Sequence, residues 1–256
     1  MTGTCDARVG SPCHLKICGL TRPEDVTYVN EARRELGGPD FAGFIVNYPK
    51  SRRNVNEARL RELTARLDPQ ITAVGVFVDE PPEAVARLLR EGVIGACQLH
   101  GSEDAAYIRR LRELSGETGL VIRAFRIPAE CQRDPEACTP TEHLEKWFAE
   151  IEHCPADLVL IDSGAGSGET FDWSALTDED GRNRLHRGFL LAGGLTPDNI
   201  PEAVRQVQPW GVDLSSGVET DGVKDESKIR AAIKALFEAY HVTKRTVPAV
   251  TRKDTT

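Results

Sequence analysis

Eight short apolar runs, rich in β-branched residues, recur along the chain. They span residues 14–18, 41–46, 71–78, 96–99, 120–125, 158–161, 189–192 and 212–214. Most are nearly continuous in apolar residues, as expected of strands covered on both faces. A turn and then a stretch of helical periodicity follow most of them. Thr21-Arg22-Pro23-Glu24 reads as a capping box with proline in the first turn, ahead of an apolar stripe of Val26, Val29 and residues 32–36. Residues 82–90 repeat that logic, Ser102-Glu103-Asp104 and Thr196-Pro197-Asp198-Asn199 open two more helices, and residues 225–239 form the last. Only the sixth helix, at 172–176, is short.

Eight strand–helix units joined by right-handed crossovers suit a closed (β/α)8 TIM barrel of the α/β class. An open doubly wound sheet is the alternative, and it places a glycine-rich loop after the first strand. Here that strand is followed by Cys18-Gly19-Leu20, and the glycines gather after units six, seven and eight, which favours the barrel. No linker divides the chain, so one domain is expected over residues 14–240. Residues 1–12 are an N-terminal extension and 243–256 a C-terminal tail, both expected to be mobile. Residues 128–140 read as a surface insertion.

Composition narrows the function classes. Lys+Arg 32 against Asp+Glu 40 gives a net charge of -8, which argues against a partner that tracks a phosphate backbone, so no nucleic acid is expected. No apolar run approaches the roughly 18 residues that span a bilayer, so no membrane is expected either. The seven cysteines are odd in number and form no CxxC pair, which points to a reducing, cytoplasmic setting without a disulfide framework or a metal ribbon.

In a barrel of this class the chemistry lies at the C-terminal ends of the strands. Gly193-Gly194 and Ser215-Ser216-Gly217 fall after strands seven and eight, where barrels often build a phosphate site from backbone N–H groups. The same glycines would also serve plain tight turns. Asp162 ends strand six and is either a general acid, its pKa raised by partial desolvation, or a turn-capping carboxylate. Cys18 ends strand one two residues from Lys16, which would lower the pKa of a reactive thiolate. A buried inert cysteine is the commoner case. Arg53, in the cationic stretch from Lys50 to Arg53, either grips a carboxylate with its fork or belongs to a solvated basic loop. His100 either orients a substrate or satisfies a core hydrogen bond, and Asp213 stands at the end of strand eight.

The same segments resemble a known family. Lys16-Ile17-Cys18-Gly19-Leu20-Thr21, Tyr48-Pro49-Lys50-Ser51-Arg52-Arg53, Gln98-Leu99-His100-Gly101, Gly166-Ser167-Gly168-Glu169-Thr170-Phe171-Asp172-Trp173, Leu191-Ala192-Gly193-Gly194-Leu195 and Val212-Asp213-Leu214-Ser215-Ser216-Gly217-Val218-Glu219 are similar, in order, to the motifs of phosphoribosylanthranilate isomerases. The resemblance runs from about residue 14 to about residue 240. It implies an Amadori rearrangement in tryptophan biosynthesis without metal or organic cofactor. By the same resemblance Cys18 matches the general base, Asp162 the general acid and Arg53 the holder of the anthranilate carboxylate. Gly193, Gly194, Ser215, Ser216 and Gly217 match the phosphate loops, while His100 and Asp213 complete the expected substrate-binding set. The implied partner is a phosphorylated small molecule, and the implied assembly a monomer or homodimer.

Three features depart from the family pattern. The loop after Asp162 is short, position 169 is Glu where the family commonly has Lys, and residues 128–140 are inserted. They leave open a paralogous barrel isomerase acting on another phosphorylated aminoaldose. A non-catalytic phosphosugar-binding protein is the reading from a different class, and it would keep its ligand after loss of Cys18 and Asp162.

Overall fold

The computed structural model of the chain describes residues 13–128, 142–164, 173–178, 180 and 183–246. In chain order the strands are β1 (His14–Cys18), β2 (Phe41–Val46), β3 (Asn54–Val55), β4 (Thr72–Phe77), β5 (Ala96–Leu99), β6 (Leu120–Arg126), β7 (Leu158–Asp162), β8 (Phe189–Ala192), β9 (Gly211–Leu214), β10 (Glu219–Thr220) and β11 (Val223–Lys224). The helices are α1 (Pro23–Leu36), α2 (Glu57–Thr64), α3 (Pro82–Arg90), α4 (Ala105–Ser115), α5 (Glu142–Glu152), α6 (Ile200–Val207) and α7 (Glu226–Thr246). β1, β2 and β4 to β9 pair in parallel, and β1 bonds to both β2 and β9, so the sheet closes on itself. β3 pairs in parallel alongside the last two residues of β2, Ile45 and Val46, and β10 with β11 form a small antiparallel hairpin.

Alternation along the strands produces two cores. Inside the barrel, Phe41, Val74, Ala96, Ile122, Leu158, Leu190 and Trp210 pack together. Trp210 stacks on His14 with ring centroids 4.0 Å apart, near the N-terminal ends of the strands. Outside, the other strand face meets the helices: Val85, Leu88 and Leu89 of α3 are buried there, as are Ile108 and Leu111 of α4. Each such side chain contributes about 1.5–3 kcal/mol relative to exposure. Among the described residues, no helix is long and apolar enough to cross a membrane.

The barrel expected from the repeat is the barrel observed, and the open sheet is excluded by closure of β1 on β9. Local details differ. The carboxylate that caps α1 is Asp25, not Glu24: its Oδ2 accepts from the N–H of Thr21 and Arg22 at 2.9 and 3.0 Å. α2 was not foreseen, because its eight residues offer only Leu60 and Leu63 to the core between charged neighbours. The last helix runs on to Thr246, so the expected tail starts as helix. The sixth helix is a single 3-10 turn at Trp173–Leu176. Residues 1–12, nearly all of the 128–140 insertion, residues 165–172 with Glu169, and 247–256 lie outside the described residues.

Candidate active site

At the C-terminal mouth of the barrel is a cavity of about 340 Å³. The strand alternation that builds the inner core continues upward into it: Cys18 above Lys16, His100 above Gln98, Asp162 above Leu160, Ser215 above Asp213. Cys18, Arg53, His100, Asp162, Gly193, Gly194, Asp213, Ser215 and Ser216 all line it. Of the expected residues only Gly217 is set back. A Cβ there would meet the Leu195 carbonyl oxygen at 1.9 Å, so this glycine lets the loop after β9 pack on the loop after β8.

The floor is a buried ion pair. Lys16 Nζ donates to both oxygens of Asp213, at 3.0 and 2.9 Å, and Lys16 is wholly inaccessible. Asp213 is therefore committed to Lys16 through both of its oxygens, although it lines the cavity. Cys18 sits over this pair. Burial pushes its thiol above the ordinary value, the Lys16 ammonium pulls it down, Asp213 pushes it up again, and Lys224 pulls it down.

Asp162 departs from expectation. Desolvation does push its carboxyl up, but the neighbouring His100 imidazole, the Gly164 N–H at 2.9 Å from Oδ1 and the charge of Arg126 together hold it below the usual carboxylate value. The sequence-based expectation of a raised pKa is thus corrected: polar neighbours outweigh the apolar barrel wall. His100 Nε2 lies 3.6 Å from Asp162 Oδ2, and Gln98 Nε2 lies 2.9 Å from His100 Nδ1. His100 thus makes the hydrogen bond to a buried polar side chain that the sequence allowed, with Gln98, and also stands in ion-pair range of Asp162.

Arg53 is no solvated loop residue. Its Nε and Nη2 donate to Glu219 at 2.6 and 2.8 Å, Arg52 reaches the same carboxylate at 2.6 Å, and Lys224 does so at 2.7 Å. Despite desolvation, Arg53 and Lys224 bring the Glu219 pKa down to about 2. An arginine has five N–H donors, so three remain on Arg53 after both bonds, including a free end of the fork. One carboxylate among three cations leaves two positive charges beside the cavity. That local excess offsets the net charge of -8 where an anionic ligand would enter.

The glycine turn after β8 matches this electrostatic bias. Gly193 and Gly194 both have positive φ, +93° and +63°. A Cβ on Gly193 would meet Ser163 Oγ at 2.1 Å and Asp162 Oδ1 at 2.8 Å. Glycine there keeps Asp162 in place and leaves the backbone bare for an anion. Gln98, Arg126, Glu219 and Lys224 were not singled out from sequence. Gln98 and Arg126 had a signal, since each follows the inward alternation of its strand; the Arg53–Glu219 pairing spans 166 positions and had none. Among the described residues, no group of three or more His, Cys, Asp or Glu side chains could hold a metal ion.

Residues 15–235 match the family model described as N-(5'-phosphoribosyl)anthranilate (PRA) isomerase. The N-(5'-phosphoribosyl)anthranilate isomerase of Acetivibrio thermocellus is 40% identical over 234 residues, covering 88% of this chain and 96% of the relative. The crystal structure of phosphoribosyl anthranilate isomerase from Thermotoga maritima superposes with a TM-score of 0.68 at 35% identity, covering 88% of this chain and 99% of that one. A phosphoribosyl anthranilate isomerase solved in complex with reduced 1-(o-carboxyphenylamino)-1-deoxyribulose 5-phosphate is 33% identical with a TM-score of 0.67, again covering 88% and 99%.

Proposed function

The chain belongs to the phosphoribosylanthranilate isomerase family, enzymes of tryptophan biosynthesis, and from that premise we propose that it converts N-(5-phosphoribosyl)anthranilate to 1-(2-carboxyphenylamino)-1-deoxyribulose 5-phosphate with Asp162 as general acid and Cys18 as general base. The observation that carries this reading is that the two side chains line one cavity whose remaining wall includes the Gly193-Gly194 and Ser215-Ser216 turns. The catalytic unit is the single barrel of residues 14–240, acting as a monomer or homodimer in the cytoplasm.

Asp162 donates its proton to the ribose ring oxygen. The C1'–O4' bond breaks, and the nitrogen lone pair forms a cationic Schiff base at C1'. That cation acidifies the C2' proton, which the Cys18 thiolate removes, and the C2'–H electron pair becomes the C1'=C2' bond of an enolamine. Tautomerisation adds a proton to C1' and releases the proton of the C2' hydroxyl, giving the ketone and returning both groups to their starting forms. The substrate phosphate lies on the glycine and serine turns, and the free end of the Arg53 fork takes the anthranilate carboxylate.

The resting protonation states set the reactive population. A raised thiol and a lowered carboxyl favour S–H with COO⁻, whereas the reaction starts from S⁻ with COOH. These two forms carry the same number of protons, so their ratio is independent of pH between the two titrations. Lys16 and Lys224 beside the sulfur, and burial of Asp162, narrow the gap between them. The test is growth of a tryptophan auxotroph lacking this isomerase. The chain should restore growth, and Cys18→Ser or Asp162→Asn should not; growth supported equally by the variants would refute the assignment.

A further inference from the structure

Outside the cavity, the chain around His100 is gripped from both sides by a half-buried Arg123 and a buried Glu103. Arg123 stands on the outward face of β6, since its neighbours Ile122 and Ala124 belong to the inner core. Its Nη1 donates to the Leu99 carbonyl at 2.9 Å and its Nη2 to the Gly101 carbonyl at 3.0 Å. One guanidinium thus brackets His100, from the residue before it to the residue after. Glu103 holds the turn that follows. Its two oxygens accept from the N–H groups of Asp79 and Gly101, each at 2.8 Å. The His100 N–H itself donates to the Phe77 carbonyl at 2.8 Å.

Neither residue lines the cavity. Nor does the start of α4 need Glu103, because the cap there is Asp104, whose side chain accepts from the Tyr107 N–H at 2.8 Å. The Glu103 side chain is 1% exposed, and Arg123 Nη1 lies 3.6 Å from it, close enough to offset its charge but beyond a hydrogen bond. A buried carboxylate is costly, and here both of its oxygens serve peptide groups of the loops after β4 and β5. Those loops touch. A Cβ on Gly101 would meet the Asp79 nitrogen at 2.9 Å, and Asp79 takes a left-handed φ of +54°, uncommon for a residue with a side chain. Such strain gathers where a functional group has to be held still. The group held here is His100, whose Nε2 faces Asp162 Oδ2 at 3.6 Å. We propose that Glu103 and Arg123 are positioning residues that fix His100 against the Asp162 carboxyl and so set the direction from which Asp162 meets the ribose ring oxygen. This rests on the function proposed above.

The test is a double-mutant cycle with His100, read separately in kcat and KM on phosphoribosylanthranilate. Glu103→Gln sets an amide donor against one of the two backbone donors, and Arg123→Lys keeps the charge but loses the fork. Each should lower kcat about 10- to 100-fold, the cost of misplacing a reacting group by about 1 Å, and change KM by less than about 3-fold. His100→Ala should lower kcat at least as much. In that background Glu103→Gln or Arg123→Lys should cost less than about 2-fold more, whereas in an Arg53→Lys background the full loss should remain. Losses that multiply with His100→Ala would overturn the proposal, as would losses that vanish equally beside Arg53→Lys. So would a lowered melting temperature with wild-type kcat, or a His100→Ala enzyme as fast as wild type. Where Glu103→Gln fails to fold, Arg123→Lys decides by the same results. A wild-type protein inactive on phosphoribosylanthranilate would instead refute the function itself, and this role with it.

Discussion

Lys16→Met isolates the ion pair on which the site is built. Lys16 and Asp213 lie 2.9 Å apart with side-chain exposures of 0% and 9%. At an effective dielectric constant of about 20, two charges at that separation attract by about 6 kcal/mol. Desolvating each ion costs several kcal/mol, so the intact pair contributes little net stability, while a single orphaned charge is expensive. Removing Lys16 alone should therefore cost about 3–5 kcal/mol. In a chain of this size that lowers Tm by about 6–20 °C, since each kcal/mol shifts it about 2–4 °C. Urea denaturation at pH 7, followed by circular dichroism, measures the loss directly. The loss should shrink in acid as the stranded carboxylate takes up a proton, because the folded variant then binds more protons than the unfolded chain. The double replacement Lys16→Met with Asp213→Leu should return to within about 1 kcal/mol of wild type, although it should be inactive. A single variant losing under about 1 kcal/mol, or a double variant as unstable as the sum of its singles, would refute the reasoning.

The remaining expectations are shorter. Because the reactive protonation state is a tautomer of the resting one, kcat should be flat between about pH 7 and about pH 8.5, and a unit slope across that range would contradict the assignment of protons. Gly193→Ala places a Cβ against Ser163 and Asp162 at positive φ, so it should destabilise by about 1–3 kcal/mol and depress kcat more than KM, read by steady-state kinetics with a thermal melt. Glu219→Gln releases Arg53 and should raise KM. Since the Glu219 pKa falls from 4.5 to about 2 on folding, its stabilisation is present above pH 4.5 and is lost as pH falls towards 2, and the variant's stability should be flatter over that interval than the wild type's.

The sequence made the barrel legible because all eight of its strands are short apolar runs and most crossovers carry an amphipathic helix. α2 escaped because a helix with two core contacts and six polar or small neighbours has a weak period. At the site, position along a strand found Cys18 and Asp162, since the last inward residue of a barrel strand must face the mouth. It did not find the state of those groups. The carboxyl of Asp162 is held low by His100, just past β5, by the Gly164 N–H and by Arg126, its register partner on β6, and these meet it only once β5, β6 and β7 pair. Arg53 was legible as a cation but not as a partner of Glu219, whose pairing depends on the hairpin of β10 and β11 folding back over the second loop.

The central claim is that one sulfur and one carboxyl act in a single proton-transfer sequence. Loss of phosphoribosylanthranilate fluorescence under single-turnover conditions tests it most directly. The wild-type protein should clear the substrate far faster than its spontaneous breakdown, Cys18→Ser and Asp162→Asn should each be slower by about 100-fold or more, and the double variant should be no slower than the worse single. Either single variant retaining wild-type speed, or a wild-type protein no faster than the uncatalysed decay, would contradict it.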